Sequence, residues 1–137
     1  MILQTDKRLN GQINKYGCYF MSILFLVNKY IGLQLSTVSI GSVYRQAVEL
    51  GIIESNCFVN DPDKLFKNLG MNVRYTQAHE PPKRKGVEGE IEILCLQYST
   101  YNHFVVGDGN GNIAYNPMGI TAPNYYLKSK RIFKLLW

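Results

Sequence analysis

At 137 residues the chain has the length of one compact domain and is too short for two, so residues 1–137 are read as a single unit. Its 46% hydrophobic content, with 10 Tyr and 6 Phe, excludes a disordered chain. The net charge of +5 suits polyanions such as nucleic acid, anionic lipid or an acidic cell-wall polymer, without choosing among them.

In chain order, the first pattern is Lys7, Arg8 and Lys15 ahead of an apolar stretch from Cys18 to Val27. That stretch is too short to span a bilayer and runs into Asn28 and Lys29 instead of a small-residue cleavage site. It therefore predicts a buried core helix over Tyr19 to Ile31, bracketed by Gly17 and Gly32, and no transmembrane segment. With no export signal, the protein is expected to be cytoplasmic when synthesised, reaching any extracellular target only after the membrane is permeabilised. Residues 10–17, between the basic start and this helix, read as a loop.

A second helix is expected from Ile40 to Leu50, closed by Gly51. A third should begin at Asp61, whose side chain caps while Pro62 takes the first helical position, and end before Gly70. Capping also accounts for Asn60, Asp61 and Asp63 better than a calcium loop, since the remaining ligands and the glycine turn are missing. The linker-like stretch Glu80 to Gly89, with Pro81, Pro82, Lys83, Arg84 and Lys85, divides the chain, and His79 just before it reads as an exposed loop residue. That basic cluster, and Lys128, Lys130 and Arg131 near the end, read as solvated surface and not as a specific nucleic-acid footprint.

Beyond Asn72 the pattern turns to strands: Asn72 to Thr76, Ile91 to Tyr98, His103 to Val106, Ile113 to Tyr115 and Arg131 to Leu135. Gly107 to Asn112, rich in Gly, Asn and Asp, predicts a hairpin between the third and fourth, with no helix after it that would make a phosphate loop. The expected class is α+β, with N-terminal helices packed on a C-terminal antiparallel sheet.

Three cysteines, an odd number without CxxC spacing, argue against disulfides and zinc and for a compartment where thiols stay reduced. Cys57 and Cys95 have no chemical companions and read as core. Cys18 differs. It stands at the predicted start of the core helix, where unpaired N–H groups favour a thiolate. His103 opens a strand, and Asn116 follows it by thirteen residues across the hairpin, near enough to orient an imidazole. Gln12, six residues before Cys18, is the candidate oxyanion donor beside the Cys18 backbone N–H.

In this order, Gln12, Cys18, His103 and Asn116 resemble the papain-like cysteine peptidases, particularly their compact bacterial branch, which includes bacteriocin-leader-processing peptidases and related phage and plasmid proteins. Many members carry Asp in place of Asn116, and a small residue or Trp in place of Tyr19. The resemblance implies a minimal papain-like core with Cys18 as nucleophile, His103 as base, Asn116 as orienter and Gln12 in the oxyanion hole, working without metal or cofactor. It further implies hydrolysis of a peptide or amide bond, with peptidoglycan the favoured substrate of a phage-type endolysin. The alternatives are a leader- or protein-processing peptidase and an inactive binding or inhibitor module.

Overall fold

The computed structural model describes residues 1–79 and 85–136, with the side chains of 77–79 outside the description. The expected basic residues Lys83 and Arg84 therefore lie outside the described residues, as does the side chain of His79. Four helices precede a sheet: α1 (Gly11–Tyr16), α2 (Cys18–Ile31), α3 (Thr37–Glu49) and α4 (Pro62–Asn68), then β1 (Val73–His79), β2 (Glu90–Gln97), β3 (Asn102–Gly107), β4 (Ile113–Tyr115) and β5 (Tyr126–Leu135). The strands form one antiparallel sheet in the order β1-β5-β2-β3-β4, and the class is α+β.

The stretch expected as a loop before Cys18 is instead a helical turn and a half. Asn10 caps it by accepting the Gln12 backbone N–H at 2.7 Å, and Ile13 is fully buried, which fixes the rotation of α1. Gly17 joins α1 to α2 so tightly that a Cβ there would fall 2.5 Å from the Ile13 carbonyl oxygen. The expected helix at Ile40 starts earlier because Ser36 and Ser39 cap each other's backbone N–H groups, at 3.1 and 2.7 Å. At α4 the Asp61 carboxylate accepts the Lys64 N–H at 3.1 Å, with Pro62 at the first position as expected.

α2 is the central element. Phe20, Met21, Ile23, Leu24 and Val27 are fully buried, and the helix lies on β3 and β4 through Tyr19 against Phe104 (ring centroids 4.8 Å apart) and Phe25 stacked on Tyr115 at 4.5 Å. Alternate residues of β2 point to opposite faces. Ile91 and Ile93 join the helices' core with Val106 and Phe133, whereas Leu94 and Leu96 form a second, smaller cluster with Tyr98 and Val105.

β5 is five residues longer at its start than the sequence predicts, and His79 ends a strand where a loop was expected. The added residues pair with the second half of β2, from Lys130 opposite Leu94 to Tyr126 opposite Gln97. Lys130, expected on the surface, is buried on the sheet with Nζ 3.3 Å from Glu92 Oε1, the two side chains 3% and 5% exposed. Glu92 in turn needs Gly107 opposite it on β3, where a Cβ would stand 2.1 Å from its Oε2. No helix among the described residues is long and apolar enough to cross a membrane.

Candidate active site

His103 and Asn116 meet as the hairpin predicts. β3 and β4 pair antiparallel, Val106 opposite Tyr115, and the turn between them is held by Asp108, whose Oδ1 accepts the N–H groups of Asn110 and Asn112 at 2.8 and 3.1 Å. The turn thus returns the chain beside β3, and His103 Nε2 lies 2.7 Å from Asn116 Oδ1, with both residues buried.

The chemistry of this contact fixes the imidazole tautomer. Asn116 Oδ1 also receives the Met118 backbone N–H at 2.9 Å, and a backbone N–H can only donate, so the atom it faces is the amide oxygen. Asn116 Nδ2 donates to Thr121 Oγ1 at 3.0 Å, consistent with that orientation. His103 Nε2 must therefore carry the hydrogen, which leaves Nδ1 as the bare acceptor of the neutral ring. Burial holds the His103 pKa below its usual value, and the Asn116 hydrogen bond offsets part of that effect.

Cys18 is the first residue of α2. Gly17 before it has no side chain to cap the helix, so the N-terminal N–H groups are not taken up by a capping oxygen. Burial pushes the Cys18 thiol up, and backbone N–H groups of Phe104, Tyr19 and Cys18 itself pull it partly back. It is half-buried, while Cys57 and Cys95 are buried, as expected of core thiols. Cys18 and His103 border one depression of about 310 Å³, together with Gln4, Tyr98 and Tyr101. Among the described residues no hydrogen bond joins the thiol to the imidazole.

Gln12 is not brought to this depression. With Ile13 turned into the core, Gln12 stands exposed on the outer side of α1. The glutamine beside Cys18 and His103 is Gln4, only 3% exposed. Its backbone N–H donates to the Pro117 carbonyl at 2.9 Å, directly after Asn116, and its side-chain Nε2 donates to Asn14 O at 3.1 Å. Asn14 Nδ2 returns the tie to Gln4 O at 2.7 Å and to Asp6 O at 2.9 Å. The N-terminal segment is thus laced between α1 and the residue after Asn116, with one Nε2 hydrogen of Gln4 committed to Asn14 and the second without an acceptor among the described residues. No local pattern marks Gln4 in the sequence; its position comes from contacts with distant residues.

Cys18 also borders a second depression, of about 590 Å³, walled by aromatic residues that include Tyr19 and Phe104. The thiol therefore borders both the depression that holds the imidazole and a larger, strongly aromatic one.

The chain belongs to the family described as protein of unknown function, DUF261, whose model matches residues 1–135. No curated protein and no solved structure matches it.

Proposed function

We propose that this member of the DUF261 family is a cysteine hydrolase of the papain type, cleaving peptide or amide bonds through an acyl-enzyme. The observation that carries the reading is the buried His103–Asn116 pair, whose imidazole borders the same depression as a thiol at a helix start. In the proposed reaction Cys18 Sγ attacks the carbonyl carbon and gives its proton to His103 Nδ1. The resulting oxyanion is held by the Cys18 backbone N–H and Gln4 Nε2. The C–N bond then breaks, the amine leaving with the proton from His103. Water, deprotonated by His103, cleaves the thioester and restores the thiol while releasing the acid.

The substrate we favour is the peptide part of peptidoglycan, an acidic polymer that a chain of net charge +5 attracts, reached in the manner of a phage endolysin. Cys18→Ala and thiol alkylation should each abolish hydrolysis of purified peptidoglycan with the far-ultraviolet dichroism unchanged. Hydrolysis surviving both treatments refutes the cysteine mechanism. Cleavage of polypeptides but not of cell walls moves the same chemistry to a processing peptidase. A silent binding module is favoured by one observation, that the thiol and imidazole are not hydrogen-bonded; it predicts that Cys18 reacts with electrophiles no faster than Cys57 and Cys95.

A further inference from the structure

Cys18 borders two depressions, and in the proposed reaction the direction of the substrate across them follows from proton transfer. His103 must hand its proton to the departing amine, so the amine leaves on the His103 side, through the depression that also holds Gln4. The acyl half of the substrate then extends into the other, larger depression of about 590 Å³.

That depression is built to take an apolar body and one negative charge. Tyr16, Tyr19, Phe58, Tyr75 and Phe104 supply its apolar surface, and Phe58 stands 65% exposed on the turn that the Ile53–Val59 bridge closes. Among the described residues it has a single cationic group on its wall, Arg131. The guanidinium lies over the Phe104 ring, its Cζ 5.2 Å from the centroid, and Nη1 donates to Ser129 Oγ. These two contacts fix the plane of the group while using one of its five N–H donors.

No carboxylate among the described residues forms a salt bridge with Arg131. The nearby Asp63 is turned to the backbone, its two oxygens accepting the Tyr75 N–H at 2.9 and 3.1 Å. A half-buried, oriented fork with donors to spare, on the wall of an aromatic depression, matches a planar carboxylate carried on a short apolar stem.

Resting on the proposed function, we infer that Arg131 is a specificity-determining residue that selects substrates bearing a carboxylate on the acyl side of the scissile bond, with the stem of that side chain lying on Tyr19 and Phe104.

The test uses the full chain and pairs of peptidyl acyloxymethyl ketones carrying Glu or its uncharged isostere Gln at the first or second acyl-side residue. In these probes Cys18 Sγ displaces the carboxylate leaving group to form a thioether, so intact mass reports the labelling rate. The Glu probe of at least one pair should label Cys18 about tenfold faster than its Gln partner, a ratio that falls as salt is raised. In Arg131→Gln the ratio should collapse to within about twofold of unity, and in Arg131→Lys it should settle between. Because both probes are read on the same protein, general damage to the fold slows them together and does not move the ratio. Equal rates for Glu and Gln in the native chain, or a ratio that persists in Arg131→Gln, overturns the inference while leaving the cysteine chemistry standing. Cys18 labelled by no probe faster than Cys57 and Cys95 overturns both.

Discussion

Asn116→Asp isolates the one contact on which the candidate site depends, because it changes charge without changing shape. The new carboxylate can keep the Met118 N–H on one oxygen and, on the other, accept the Thr121 hydroxyl in place of donating to it. What changes is a full negative charge at the 2.7 Å contact with His103 Nε2. A unit charge about 4 Å from the imidazolium's centre is worth roughly 4 kcal/mol at an effective dielectric constant near 20. One pKa unit is about 1.4 kcal/mol, so the ceiling is ~3 units; burial of the new pair trims this, and a rise of about one to two units is expected. In the native chain His103 titrates below its ordinary 6.5, because burial penalises the charged ring. Its contribution to stability is therefore lost as pH falls below 6.5. In the variant the folded pKa rises, so relative to the native chain less stability is lost as pH falls below 6.5. The chain has two histidines, and the background His79→Gln leaves a single imidazole for nuclear magnetic resonance titration. A midpoint unmoved or lowered by Asn116→Asp refutes the pairing, whatever the protein's activity.

Three further predictions rest on other contacts. Gln4→Ala should lower kcat about 10²-fold to 10³-fold with a smaller effect on KM, as for loss of one oxyanion donor, whereas Gln12→Ala, on the exposed side of α1, should leave both within twofold; steady-state kinetics on a cell-wall or peptide substrate decides between them. Lys130→Met strands the buried Glu92 carboxylate and should cost about 3–5 kcal/mol in urea denaturation, while the double change Lys130→Met with Glu92→Leu should recover much of it. Iodoacetamide should label Cys18 before Cys57, whose thiol burial pushes up to about 12, and the Cys18 rate should keep rising with pH beyond 9.0; a plateau from pH 5 to 8 would instead report a resting thiolate–imidazolium pair.

The parts of the molecule legible in the sequence are those decided by near neighbours. The run Tyr19 to Ile31 is apolar on almost every face and becomes the central helix; Asp61–Pro62 caps α4; the glycines and Asp108 between β3 and β4 make the hairpin that joins His103 to Asn116. What escaped was settled by distant partners. Lys130 reads as surface until Glu92, thirty-eight residues away in the chain, is placed against it. Gln12 has the right spacing to Cys18, but spacing ignores helix rotation, and one buried isoleucine turns it outward. Gln4 lies in a terminal segment with no periodicity of its own, held by Pro117 and Asn14. The Ser36–Ser39 box was missed because Ser stands where Glu or Gln marks the usual capping signature.

Burial acts on the two reacting groups in opposite senses, and this sets how the proposed chemistry would start. A raised thiol and a lowered imidazole both favour the uncharged form near neutral pH, so the proposed reaction starts from a neutral pair. In the proposed reaction attack would then require proton transfer to accompany bond formation, with His103 a base at the moment of reaction instead of a counter-ion beforehand. Asn116 suits that duty: as a neutral acceptor it fixes the tautomer and aims Nδ1 without stabilising the imidazolium as strongly as a carboxylate would. A carboxylate in its place favours a preformed ion pair, so the identity of this one side chain decides between two ways of activating the same sulfur.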